Sequence, residues 1–341
     1  MVEKLSVKQK PILRGEAALA VAVIVNTFGV VLMLYSESGI PAYYSDWFCN
    51  RLREGFVCVR TPMNFHQVSR IALSSDVVDG IVFWTKDPRP LMPRLEELRA
   101  YPYYFQFTLT PYGKDMEPGL PDKGAVLLPA FQMLSDMIGP ERVIWRYDPI
   151  LLTARYTADF HITAFRQMAQ RLEGYTHKCV ISFVDLYRNT QARLSGLGFA
   201  PLAEKEIAEL AQRLAEIAGR HRLVLETCAE TIDLRRFGIA HGHCIDRRLL
   251  EQLAGCRLAL EKDRNQRPAC GCTASIDIGM YDTCRHGCKY CYATHSPKTV
   301  AHNTKAHDPF SPLLCGQLQP EDAVHARTVK SCREEQLRFL D

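Results

Sequence analysis

Residues 203–227 read AEKEIAELAQRLAEIAGRHRLVLET, a helical stretch that runs straight into a short apolar run. Ile207, Leu210, Leu214 and Ile217 recur at the spacing that puts them on one face of a helix. The run at 222–227 is of strand length and ends in polar residues. The same unit recurs upstream. Strand-type runs lie at 56–59, 81–84, 104–110, 143–147 and 179–184, and helix-type stretches lie between them at 44–53, 91–100, 130–138 and 158–172. Such alternation predicts an α/β fold, a parallel sheet covered by helices that is either open or closed into a partial or full β/α (TIM-like) barrel.

The ends of the runs favour the barrel. They finish in Thr85-Lys86, in Gln106 with Thr108, in Arg146 with Asp148, in Ser182 with Asp185 and in Glu226-Thr227-Cys228. In a β/α barrel the C-terminal strand ends share one face, so these side chains would converge on a mouth. Lys86, Arg146, Asp148 and Glu226 are the candidate catalytic residues there, although each could equally serve a structural ion pair. After about residue 260 the alternation stops, and residues 261–315 are rich in Cys, Gly, His, Pro and Asn. That divides the chain into an apolar extension and first strand (1–39), a barrel (40–260) and a cysteine-rich segment with a tail (261–341). A segment of that composition builds no core of its own, so a metal or the barrel must order it.

Hydrophobic residues make up 47% of the 341 and charged residues 23%, which excludes disordered and fibrous classes. The net charge of +4 is unevenly placed: residues 235–305 carry twelve Lys/Arg against six Asp/Glu. Either a solvated surface or an anionic partner such as nucleic acid would account for it. Residues 17–35 carry no formal charge and approach the length of a membrane span, but Asn26, Thr27 and Gly29 interrupt them. A buried strand with an extension reads the same way. The thirteen cysteines are an odd number and follow no convincing secretory signal, which points to free thiols in a reducing cytoplasm.

The chemistry concentrates in Thr283-Cys284-Arg285-His286-Gly287-Cys288-Lys289-Tyr290-Cys291-Tyr292. The spacing is C-x3-C-x2-C with an aromatic residue before the third cysteine. Three thiolates on one tight loop can ligate three irons of a [4Fe–4S] cube and leave the fourth open, where S-adenosylmethionine can be chelated and cleaved to a 5′-deoxyadenosyl radical. A structural zinc site with Cys270 or Cys272 as fourth ligand is the rival, although zinc sites usually pair cysteines as C-x2-C.

The motif resembles that of the radical S-adenosylmethionine superfamily, and the resemblance implies that Tyr290 lies against the adenine. From Ile40 to about Cys315 the chain resembles an uncharacterised bacterial family, domain-of-unknown-function family 1848. The matching strings are Ile40-Pro41-Ala42-Tyr43-Tyr44, Phe83-Trp84-Thr85-Lys86, Phe107-Thr108-Leu109-Thr110, Arg146-Tyr147-Asp148-Pro149, Ser182-Phe183-Val184-Asp185 and Glu226-Thr227-Cys228-Ala229-Glu230. The Thr-Lys and Arg-Tyr-Asp-Pro strings are also similar to spore photoproduct lyase, a DNA-repair radical enzyme. There are two departures. Radical enzymes usually carry the cysteine motif after their first barrel strand, so here the C-terminal segment would have to fold back over the mouth. Ser36-Glu37-Ser38-Gly39 also stands where that family usually has an Arg-Thr-Asp string.

A second metal site is open to Cys270 and Cys272 with Cys228 and Cys244, with Cys315 as a further donor, against the bland reading of buried inert thiols. His241-Gly242-His243 is a metal pair by spacing but a solvated loop by composition. The expected partners are a flavodoxin- or ferredoxin-like reductant and a substrate that includes nucleic acid among its candidates. The alternatives are an iron–sulfur electron carrier or sensor, and a zinc-ordered nucleic-acid-binding protein.

Overall fold

The computed structural model describes residues 30–34, 38–61, 64–185, 187–199, 201–264 and 266–334. Its centre is an eight-stranded sheet in which every pairing is parallel. Five strands form the middle: β4 (Val78–Thr85), β5 (Tyr103–Thr108), β6 (Val143–Ile150), β7 (Lys178–Phe183) and β8 (Val224–Thr227). Beside β4 lies β1 (Val30–Leu34), and the short β10 (Ile276–Asp277) forms the edge beyond it, while β9 (Ala240–His241) is the other edge. The α/β class and the parallel sheet follow the alternation in the sequence. Among the described residues no ladder joins β9 to β10, so the sheet is not closed. Both edge strands are two residues long, too short to carry a seam.

Residues on the sheet alternate between two apolar cores, as the two-residue period of a strand requires. Phe83, Phe105, Phe107, Trp145, Tyr147 and Ile181 face the helices. These are α2 (Ser45–Glu54), α3 (Leu128–Ile138), α4 (Ala158–Leu172) and α6 (Glu204–Arg220), which follow the single-turn helix α1 (Ile40–Tyr43). Trp145 stacks on Phe165 of α4 with ring centroids 4.8 Å apart, and Leu210, Leu214 and Ile217 of α6 bury the face the sequence marked out. Each such fully buried side chain contributes roughly 1.5–3 kcal/mol. Thr157 caps α4 by accepting from the Phe160 N–H at 3.2 Å. Val82, Trp84, Tyr104, Ile144 and Val180 face the other way and are covered by Cys244, Ile245, Leu258, Leu260, Cys270 and Cys272, with Leu250 of α7 (Arg247–Ala254). Tyr104 and Gln106, polar groups on that inner face, donate to the Cys244 carbonyl at 2.7 and 2.9 Å and so fix the covering segment.

Three elements depart from expectation. The run at 56–59 is a strand, β2 (Phe56–Thr61), but it pairs antiparallel with β3 (Asn64–Ala72) in a separate sheet, which β11 (Ala323–Ala326) completes. The stretch at 91–100 folds as the tighter 3-10 helix Met92–Leu98, with Pro93 in its first turn. Of the apolar stretch 17–35, Val30–Leu34 is strand β1 and the rest lies outside the described residues. Among the described residues no helix is long and apolar enough to cross a membrane. The two remaining helices, α5 (Arg188–Ser195) and α8 (Pro297–Lys305), flank the cysteine loop. The Ser296 hydroxyl caps α8, accepting from the Thr299 N–H at 3.0 Å.

Candidate functional site

Strand β10 runs beside β1 in the direction of the whole sheet, and so delivers the cysteine loop that follows it to the C-terminal strand ends. The loop is pinned from several sides. Tyr44 donates to the Thr283 carbonyl at 2.7 Å, and the Thr283 hydroxyl donates to the Ser38 and Met280 carbonyls at 3.0 and 2.6 Å. Asp282 accepts from the His295 N–H at 2.5 Å, and Asn303 of α8 donates to the Asp282 carbonyl at 3.1 Å. Residues 113–120 form the opposite clamp: Gly119 N–H donates to the His286 carbonyl and Lys289 N–H to the Met116 carbonyl, both at 2.9 Å. A Cβ at Gly119 would stand 2.6 Å from the Arg285 oxygen and 2.7 Å from the His286 oxygen, so only glycine allows this approach.

Held this way, Cys284, Cys288 and Cys291 line one cavity with Lys86, Thr108, Arg146, Asp148, Ser182 and Asp185. Cys284 and Cys288 are buried and Cys291 is half-buried. Burial pushes the Cys288 thiol up, while the ammonium of Lys86 acts the other way. Lys86 is itself buried, donating to Glu117 Oε1 and to the Tyr290 hydroxyl, each at 2.8 Å. Tyr290 in turn donates to Glu117, which also pairs with Lys123. Burial alone would raise the Glu117 carboxyl, but Lys86 and Lys123 outweigh it and bring it down to about 2. The network immobilises the Tyr290 ring on the cavity wall.

A second group occupies the same cavity. Arg146 pairs with Asp148 and also donates to Cys244 Sγ at 2.9 Å. Burial works against the charge on Arg146, yet Asp148 and the neighbouring thiols prevail and hold the guanidinium well above its ordinary value. Burial likewise opposes ionisation of Asp148, but Arg146 and the Ser182 hydroxyl bring its carboxyl below the usual range. Cys228 Sγ lies 3.0 Å from Cys244 Sγ, and Cys270 and Cys272 line the cavity beside them.

Thus Lys86, Arg146, Asp148, Tyr290 and the seven cysteines meet at one place. Glu226 does not join them. It sits deeper on the inner face and pairs with Lys178 at 3.2 Å. The glutamate that lines the cavity is Glu230, where burial pushes the carboxyl up to about 7 although the Phe183 N–H donates to it at 2.8 Å. Cys315 belongs to the helix-side core instead. His241 and His243 are exposed, and His243 bonds the Gly271 carbonyl at 2.6 Å. Glu117 carried no sequence signal and His286 only its place within the cysteine string; each sits in a loop, and only the folded clamp shows their role. The Tyr43 hydroxyl and His286 Nδ1 share a hydrogen bond of 2.7 Å.

Among the described residues no three His, Cys, Asp or Glu side chains stand close enough to share a single metal ion. A cubane asks for something else, since each thiolate takes its own iron. Three thiols of one clamped loop facing one cavity fit that demand, and the absent Cβ of Gly39, which would lie 3.4 Å from Cys284 Sγ, leaves room beside the first. No curated protein and no solved structure matches the chain. One family profile does, the one described as Domain of unknown function (DUF1848), over residues 32–293. That span takes in the parallel sheet, the cavity and all three cysteines of the loop, and the chain belongs to this family.

Proposed function

We propose that this protein is a radical S-adenosylmethionine enzyme built on a partial β/α barrel, with Cys284, Cys288 and Cys291 as the ligands of a [4Fe–4S] cluster. The observation that carries the reading is the single cavity shared by the three-cysteine loop and the polar ends of β4, β6 and β7. When bound, a cubane with one iron free of protein ligand supplies the electron that cleaves S-adenosylmethionine to a 5′-deoxyadenosyl radical. The chain's own part is to bind, orient and exclude water. Tyr290, fixed by Glu117 and Lys86, offers its ring to the adenine. The Lys86 ammonium has three donors and spends two of them on Glu117 and Tyr290, which leaves one for the methionyl carboxylate. Arg146 and Asp148 present a paired polar edge to the substrate, and Trp84, Phe183 and Tyr187 wall the cavity against solvent.

The position of the loop supports the same reading. The edge strand β10 lies beside β1, so the loop follows the outermost strand of the parallel series, as in radical enzymes whose motif follows their first strand. Among the described residues no cysteine is paired in a disulfide, which suits a reducing cytoplasm and a flavodoxin- or ferredoxin-like electron donor.

The test is anaerobic reconstitution with iron and sulfide, reduction with dithionite, and detection of 5′-deoxyadenosine by mass spectrometry. Slow formation by the wild type, abolished in Cys288→Ala, is expected. A fully loaded and reduced cluster that leaves S-adenosylmethionine intact would make the protein an electron carrier. Zinc in place of iron would make it a zinc-ordered binding protein.

A further inference from the structure

We propose that Cys228, Cys244, Cys270 and Cys272 hold a second iron–sulfur cluster, one with four protein ligands, on the cavity that the Cys284 loop also lines. The four come from three places in the chain: the end of β8, the segment after β9, and the irregular stretch before β10. Nothing in sequence proximity brings them together. In the fold Cys228 Sγ stands 3.0 Å from Cys244 Sγ, and Cys228 packs against the buried cluster that holds Cys244, Cys270 and Cys272. All four face the same cavity.

Donors converge on these sulfurs. Arg146 Nη1 lies 2.9 Å from Cys244 Sγ, and the Ile245 N–H donates to Cys272 Sγ at 3.4 Å. A neutral thiol is a weak acceptor, whereas a thiolate bound to iron is a strong one, and hydrogen bonds of this kind tune cluster ligands. The permanent charge of the buried Arg146 also balances the negative charge of a thiolate-ligated cluster.

Among the described residues the chain around the thiols forms little regular structure. Residues 256–275 contain only isolated bridges, yet Leu258, Leu260, Cys270 and Cys272 are buried in them. A cross-link between that stretch, β8 and the segment after β9 would supply the order. Among the described residues no three donors here stand close enough to share a single ion. A group with several metal atoms suits four such sulfurs better than zinc does. Loading would turn the side chains away from one another into the cavity, each to its own iron.

The full-length protein, prepared without air and reconstituted with ferrous iron and sulfide, decides the matter. Wild type should hold about eight irons and eight sulfides by chemical assay and Mössbauer spectroscopy. The variant Cys284→Ala/Cys288→Ala/Cys291→Ala should keep about half of that with its own reduced-state paramagnetic signal, whether or not S-adenosylmethionine is ever cleaved. Cys244→Ala/Cys272→Ala should lose the other half and keep the signal of the Cys284 loop. About four irons in wild type, unchanged by Cys244→Ala/Cys272→Ala, would overturn the proposal without reference to how either variant folds. A single zinc, or a Cys228–Cys244 disulfide with no metal, would overturn it as well.

Discussion

His161 shows how one side chain ties pH to the fold. It is buried between Tyr147 and the loop after β6, with Tyr147 hydroxyl to Nδ1 at 2.8 Å and Nε2 to the Leu151 carbonyl at 3.0 Å. Burial lowers it from the ordinary 6.5 to about 4, against the help of the Leu151 carbonyl. The folded state therefore holds it neutral where the unfolded chain is already protonated. Between pH 6.5 and 4 the unfolded state binds more protons, so this contribution is complete above that window and is lost as pH falls through it, by at most about 3 kcal/mol. Urea denaturation at stepped pH should show the slope in wild type and not in His161→Gln. An unchanged slope in the variant would assign it to other groups. At this scale the sequence was readable where the strand pattern set the direction of a side chain. Lys86, Arg146, Asp148 and Ser182 lie at strand ends and do reach the cavity. Glu226 fails because it lies further from the strand ends on that face, where it pairs with Lys178 at the start of β7.

At the scale of elements, the two clamps decide where the cysteine loop sits. One comes from α1 and α2, whose Tyr43 and Tyr44 reach His286 and Thr283. The other is the loop of residues 113–120, which no period or motif announced. It makes no regular element, and its meaning lies in Gly119 lying against two carbonyls of the loop. Gly119→Ala should therefore push the loops apart and lower iron content of the Cys284 site several-fold, while the thermal transition of the sheet core moves only slightly. Iron analysis beside calorimetry separates the two effects. Retention of full iron would show that the clamp yields without consequence. The helices and strands of the β4–β8 core were legible because their apolar faces repeat cleanly. The second sheet was not, because β3 alternates around exposed residues such as Phe65 and pairs with β11, more than two hundred residues away.

Over the whole molecule, four of the twelve basic side chains of residues 235–305 are paired with acidic neighbours among the described residues. Arg235 pairs with Asp233 at 2.7 Å, Arg247 with Glu251 at 2.9 Å, Arg264 with Glu261 at 3.4 Å and Arg267 with Asp185 at 2.5 Å. Such exposed pairs add little stability. If the proposed clusters are present, removing their iron with a chelator should raise amide exchange chiefly in residues 256–296, with β4 to β7 remaining protected, as hydrogen-exchange mass spectrometry would show. Uniform loosening of the sheet would contradict that division. The placement of β10 has a further consequence, for biosynthesis. The outermost parallel strand on that side is the last of the series to be translated, and the thiol-bearing chain arrives with it. Strands β4 to β8 leave the ribosome able to pair among themselves, but Val82, Trp84, Tyr104, Ile144 and Val180 stay bare until residues 244–272 cover them. Completion of the inner core and delivery of the cysteines are thus one late event, so a nascent chain stalled before it is a half-covered sheet with nowhere to receive a cofactor.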